Sequence, residues 1–237
     1  MLGSLKDRFQ LKFKNREFAA KILAGALEDS LKKIKVDKKS DNLLVLGIPR
    51  GGVIVADFVA QKLISSHYKC NFDIVIPRKL TAPGNQEIAI GAIFEDGTLY
   101  LNEDLIRDLG ISSDYLEAEK SRQLEEIKRR KSIYLSKEIE LDLKDQTVIL
   151  VDDGAASGAT IIVDSRWIKK QKPSKIVIEI PVTSKNILEI LKRESDLVVT
   201  GTTPSATNFK TVGQYYQEFK PVEDEDIINV IKKHTRT

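Results

Sequence analysis

Residues 148–160, VILVDDGAASGAT, place two adjacent carboxylates, Asp152 and Asp153, at the end of an apolar run. They are followed by Gly154 and Gly158 and by hydroxyls at Ser157 and Thr160. A glycine turn leading into a helix exposes backbone N–H groups at the positive end of the helix dipole. With hydroxyl donors beside it, such a turn binds phosphate without any basic side chain. The carboxylates just ahead can accept hydrogen bonds from paired sugar hydroxyls, or approach a magnesium ion shared between a sugar and a diphosphate. A phosphorylated ribose satisfies both halves of the motif, while a metal-aspartyl centre and an ordinary Asx or glycine turn remain open alternatives. The segment is not GxGxxG and has no GxxxxGK[ST] lysine, so neither a dinucleotide loop nor a nucleotide triphosphatase loop is supported.

The elements that must position these groups alternate between strand and helix. Apolar runs at 43–48 (LLVLGI), 72–77 (FDIVIP), 147–151, 174–180 (SKIVIEI) and 196–202 (DLVVTGT) read as short buried strands. Between them lie helical patterns, one starting near Gly52, one after Gly158 and one within PVTSKNILEILKR. Right-handed crossovers around a mainly parallel sheet satisfy this order most simply, with the ligand beyond the carboxyl ends of the strands. Residues 16–27, REFAAKILAGAL, read as a helix with Phe18, Ile22 and Leu23 on its apolar face, and a charged stretch follows. Two segments interrupt the alternation. Residues 89–102 predict a hairpin turning at Glu95-Asp96-Gly97. A charged helix is expected at 112–135, whose stripe of Leu116, Leu124, Ile127 and Tyr134 can pack on the body of the chain, meet its copy in a homodimer, serve closure of the site or contact nucleic acid.

VILVDDGAASGAT resembles the signature for 5-phosphoribosyl 1-diphosphate (PRPP) of the type I phosphoribosyltransferases. IPRGGVIVA, PRKLTAPGNQEIAIGAI and NFKTVGQYYQEF extend the resemblance to a poorly characterised group of these enzymes, over most of residues 15–228. The resemblance implies an α/β fold of the type I kind, a twisted and mainly parallel sheet flanked by helices, with a small hood and a flexible loop or hairpin. It implies one domain over 1–237, with the loop and hairpin at 78–102 and the C-terminal hood at 201–219.

It also implies roles for particular residues. Asp152 and Asp153 would bind the ribose hydroxyls and approach magnesium, directly or through ribose and water. Gly154, Ala155, Ala156, Ser157, Gly158, Ala159 and Thr160 would surround the 5-phosphate. IPRGG, residues 48–52, would be the pyrophosphate loop, where Gly51 and Gly52 permit close backbone approach and Arg50 contacts diphosphate. Residues 77–92 would close over the substrate, with Arg78 and Lys79 neutralising the leaving diphosphate and Glu87 orienting metal, substrate or a loop cation.

The implied chemistry is displacement of diphosphate from ribose C1 of PRPP by a small nitrogenous acceptor, with inversion and with magnesium as cofactor. Relatives acting on 6-oxopurines often carry an acid immediately before the Ser or Thr of the motif; Ala156 stands there, which argues modestly against hypoxanthine or guanine. For the base, the hood offers Phe209, Tyr215 and Tyr216 as stacking groups and the Val212-Gly213 backbone as an edge reader, with a core role equally open to them. The alternative function is a noncatalytic PRPP sensor controlling RNA or a protein partner. The group of cations at 50, 78 and 79 with Glu87 favours the enzyme.

Composition agrees without deciding. With 237 residues, 41% hydrophobic, 31% charged and a net charge of +3, the chain is expected to fold as a globular protein and is too weakly basic to signal nucleic-acid binding. Residues 1–40 carry eleven Lys or Arg against five Asp or Glu, and this surplus is read as a solvated face that keeps the RNA alternative alive. No run reaches the roughly 20 apolar residues needed to cross a bilayer, and the start lacks a secretory pattern, so cytoplasmic residence without a membrane partner is expected. Cys70 is read as an incidental thiol, Trp167 as core and His234 as a surface residue.

Overall fold

The computed structural model describes residues 12–135 and 141–234. The first eleven residues, which carry little of the basic surplus, lie outside the described residues, as do 136–140 and 235–237.

Five strands form the predicted parallel sheet: β1 (Asn42–Gly47), β2 (Lys69–Ile74), β6 (Thr147–Val151), β7 (Lys175–Val182) and β8 (Leu197–Thr202). Their order is β2-β1-β6-β7-β8, with every neighbouring pair parallel. Runs such as LLVLG and TVILV form strands because helices cover both faces of a parallel sheet, so both alternating sets of side chains must be apolar. On one face Val45, Ile149 and Val177 pack against helices α1 (Arg16–Lys33) and α2 (Gly51–Ser65). On the other, Leu46, Leu150 and Ile178 pack against α5 (Ala159–Lys170) and α6 (Lys185–Glu194).

The chain runs from β1 outward to β2 on one side, and β6 lies on the other. The reversal between β1 and β6 brings the loop after each to one crevice at the carboxyl end of the sheet. Two predicted boundaries move. α1 runs to Lys33, through the stretch read as a charged connection, because Leu27 and Leu31 continue a buried stripe of Ala20, Leu23 and Ala24; Phe18 and Ile22, expected on that face, are exposed instead. β2 starts at Lys69 and stops at Ile74, and Val75 remains tied to β1 by its N–H on the Gly47 carbonyl at 3.1 Å.

Residues 78–101 form a second, antiparallel sheet of β3 (Arg78–Ala82), β4 (Asn85–Ile93) and β5 (Leu99–Leu101). Its turns are at Pro83-Gly84 and at the predicted Glu95-Asp96-Gly97, and Gly84 and Gly97 adopt positive φ (70° and 84°). A short α3 (Glu103–Asp108) follows, unannounced by the sequence pattern. Helix α4 (Ser113–Tyr134) packs its stripe of Leu116, Leu124 and Ile127 onto this sheet with Leu80 and Ile90. The stripe therefore has a partner within the chain. Tyr134, at the far end of α4, joins a different cluster with Ile74, Ile76 and Ile227 of the terminal helix α7 (Asp224–His234).

α7 is fastened to α2 by Asp57, whose carboxylate meets His234 Nε2 at 2.7 Å and Lys233 Nζ at 2.9 Å. Burial raises the Asp57 carboxyl, but the hydrogen bonds and charges of His234 and Lys233 outweigh it and leave the group below its ordinary value. His234 also stacks on Phe72 with ring centroids 4.1 Å apart. It is thus a half-buried docking residue and not the free surface residue expected from its place near the chain end. Trp167 stacks on Phe94 at 4.3 Å in the core, as expected.

Candidate active site

The site grows from the two strand ends. β6 delivers Asp152 and Asp153, and the chain then turns through Gly158, whose φ of 70° is open to glycine at little cost, into α5. β1 delivers Ile48 to Arg50 and then α2, with a cis peptide bond between Pro49 and Arg50. The two loops press together. A Cβ on Gly51 would lie 1.8 Å from Asp153 Oδ2, and one on Gly52 would lie 2.7 Å from Asp152 Cα and 2.8 Å from the Val151 carbonyl oxygen. This close approach explains the paired glycines better than backbone freedom does. Across the motif, Ala155 bridges to the strand beyond Val182: its N–H donates to the Val182 carbonyl at 2.9 Å, and the Thr183 hydroxyl donates to the Ala155 carbonyl at 3.1 Å.

Between the loops lies a cavity of about 210 Å³ whose walls include Arg50, Gly51, Lys79, both aspartates, residues 154–158, Thr160 and Val212. The N-termini of α2 and α5 both open on it, so two helix dipoles present their positive ends to one small volume. A larger hollow of about 510 Å³, walled by Ile76, Phe94, Leu135 and Trp167, contains none of the motif residues. Size alone does not locate the chemistry.

The two acids are in unlike surroundings. The Asp152 carboxyl is pushed well above its usual value by burial and then by the negative charge of Asp153. The Asp153 N–H, which it accepts at 2.8 Å, and the charge of Lys79 offset part of this. Asp153 is paired: Arg16 Nε donates to its Oδ2 at 2.7 Å, and the Tyr216 hydroxyl donates to its carbonyl at 2.7 Å. Sequence reasoning missed Arg16, which stands 137 residues away in the chain and looked like the first polar position of an amphipathic helix.

Neither Arg78 nor Glu87 reaches the cavity. Arg78 donates from Nε to Gln123 on α4 at 2.9 Å, and Glu87 is exposed on β4. Adjacent strand residues point to opposite faces, so of the Arg78-Lys79 pair only Lys79 faces the aspartates. Arg50 borders the cavity, but its guanidinium reaches toward acids at the start of α7, 3.5 Å from Glu223 and 4.0 Å from Asp224. Among the base candidates, Val212 lines the cavity. Tyr215 and Tyr216 are buried with Phe13 in a small core of the hood, and Phe209 stacks on Tyr215 at 5.3 Å. Gly213 packs under Phe219, an aromatic the sequence reading did not single out.

Among the described residues no group of three or more His, Cys, Asp or Glu is placed to hold a metal by protein ligands alone, and no helix is long and apolar enough to cross a membrane.

Comparison with known proteins agrees with this geometry. Residues 12–218 match the family model for the phosphoribosyl transferase domain. The Mycobacterium tuberculosis protein Rv0571c, which carries a provisional phosphoribosyl transferase name, is 32% identical over 194 residues, 82% of this chain; the chain spans only 42% of the length of that relative. The crystal structure of TT1426 from Thermus thermophilus superposes with a TM-score of 0.72 at 34% identity, covering 94% of this chain and 99% of the other.

Proposed function

The chain belongs to the phosphoribosyl transferase family, and from that premise we propose that it transfers the 5-phosphoribosyl group of PRPP to a nitrogen acceptor, a nucleobase or related heterocycle. Diphosphate leaves and ribose C1 inverts. The observation that carries the reading is the convergence of Asp152, Asp153, Lys79 and two helix N-termini on one cavity. These are the separate requirements of a sugar diol and two phosphate groups.

In this reading the α5 N-terminus, with Ser157 and Thr160, takes the 5-phosphate, and the aspartates take the ribose hydroxyls. Gly51, Gly52 and the start of α2 take the diphosphate with Lys79, and Arg50 joins them by leaving Glu223 and Asp224. Charge builds on the departing diphosphate as the C1–O bond lengthens, and these groups stabilise it in place before the reaction begins. The residues also suit magnesium, which accepts one or two carboxylates and takes its remaining oxygens from substrate phosphates and water. Asp152, a half-buried carboxyl beside a second acid, is the fitting ligand; a bound ion would supply further charge for the leaving group. No covalent protein nucleophile is required, because the acceptor nitrogen attacks C1 directly.

Cytoplasmic residence and a role in nucleotide metabolism accompany this proposal. The decisive experiment incubates the protein with PRPP, magnesium and a panel of heterocycles, resolving ribosyl phosphate products and diphosphate. Asp152→Asn with Asp153→Asn should nearly abolish transfer, and unchanged turnover would sink the assignment. Tight PRPP binding without transfer to any acceptor would promote the sensor reading instead.

A further inference from the structure

Arg16 makes three contacts that meet at the site. Its Nε donates to Asp153 Oδ2 at 2.7 Å, its Nη1 donates to the Lys220 carbonyl at 2.8 Å, and its guanidinium carbon sits 3.9 Å over the Phe219 ring. The side chain is only 12% exposed and that of Asp153 14%, so this ion pair is largely shielded from solvent.

The backbone beside it is organised to the same end. Phe13 donates its N–H to the Tyr215 carbonyl, Gln217 donates to the Phe13 carbonyl, each at 2.8 Å, and Glu218 donates to the Lys14 carbonyl at 2.9 Å. Asn15 then caps α1 through its side chain on the Phe18 N–H. The segment before α1 and the hood are thus zipped together, and Arg16 emerges at the end of the zipper, on the second aspartate of the motif.

We propose that Arg16 is a positioning residue for PRPP. Resting on the phosphoribosyl transfer reading, the assignment is that Arg16 saturates Oδ2 of Asp153 and leaves Oδ1 to accept a ribose hydroxyl. The same guanidinium holds the hood through Lys220 and Phe219, so ribose binding and hood placement share one side chain. A carboxylate rotates freely about its last bond unless one oxygen is held, and a planar guanidinium holds it while its other arm reaches a second acceptor. Lysine has the charge but cannot span both partners in that planar fork.

The test uses the full chain and two probes, magnesium with PRPP and magnesium with inorganic diphosphate, titrated by calorimetry. Arg16→Ala is expected to weaken PRPP at least tenfold and to leave diphosphate within twofold, whereas a merely structural loss would weaken both. Arg16→Lys should recover part of the PRPP affinity. The double variant Arg16→Ala with Asp153→Asn should bind no more weakly than Asp153→Asn alone, because the two act through one contact. Amide hydrogen exchange should quicken across 212–220 in Arg16→Ala. PRPP affinity equal to the unmodified protein, or fully additive losses, would overturn the assignment. If Arg16→Ala fails to fold, Arg16→Lys and Arg16→Gln are compared by the same ratio of PRPP to diphosphate affinity. If the unmodified protein binds no PRPP, the phosphoribosyl reading itself falls, and unchanged exchange in the hood then rejects the clamp as well.

Discussion

Glu119 on α4 accepts the backbone N–H of Thr81 on β3 at 3.1 Å, and the Thr81 hydroxyl reaches the same oxygen at 3.2 Å. Gln123 and Arg122 supply the remaining donors. Burial alone would raise this carboxyl, but its donors prevail and hold it below its ordinary value. The charged helix is therefore fastened to the hairpin that carries Lys79. Glu119→Ala should cost about 2–3 kcal/mol by leaving buried donors unmatched, measured by urea unfolding. A loss no larger than that of an exposed α4 acid such as Glu125→Ala would show that the contact does not hold the helix.

Gly51→Ala should keep the fold and lose PRPP. Its new methyl collides with Asp153 Oδ2 and comes within 2.9 Å of Arg16 Nε, so the carboxylate has to swing away from its partner. At least a tenfold loss of PRPP affinity, with an unchanged circular dichroism spectrum, is the expected outcome. Undiminished binding would mean that the loop separates from the motif when substrate enters.

The neighbours Arg78 and Lys79 should separate in their effects. Lys79→Ala is expected to weaken magnesium diphosphate about tenfold, with a melting temperature near that of the unmodified protein. Arg78→Ala removes the hydrogen bond to Gln123 and should lower the melting temperature while leaving diphosphate affinity within about twofold. Reversed behaviour would place the strand the other way round in the protein in solution.

Glu179 governs a pH dependence of stability. Its carboxyl, on the inner strand β7, is fully buried, has no hydrogen-bond partner among the described residues, and is pushed up to about 8 by burial from an ordinary value of 4.5. Between these values the folded protein holds a proton that the unfolded chain has released. Stability therefore falls as pH rises through that window, on the order of 4 kcal/mol by pH 8. Glu179→Gln should reduce this slope in denaturation series at pH 5.5 and pH 8, leaving the share of Asp152 and Asp164, whose carboxyls burial also raises. Parallel slopes in the two proteins would exclude Glu179 as the cause.

The site was legible where its chemistry is local. VILVDDGAASGAT and IPRGG each join a strand to a helix within a few residues, and the turn chemistry, the dipole and the strand run are all written in that short span. Alternation of strands and helices likewise implied a parallel sheet, and with it the crevice at the carboxyl ends. The hood was only half legible. Its aromatics announced a cover, but nothing local tells a stacking platform from a small core, and Tyr215 and Tyr216 belong to the core.

By itself the sequence determined the parallel sheet and the two loops that meet at its switch point, because hydrophobic period and glycine placement act over a few residues. Only the tertiary structure decided that Lys79 faces the aspartates while Arg78 faces α4, since strand alternation separates neighbours without saying which face is the site. It alone decided that Arg16 belongs to Asp153 and His234 to Asp57, pairs separated by 137 and 177 residues. A charge chooses its partner only after the backbone has folded, when burial removes water as the competing partner and leaves the nearest opposite charge.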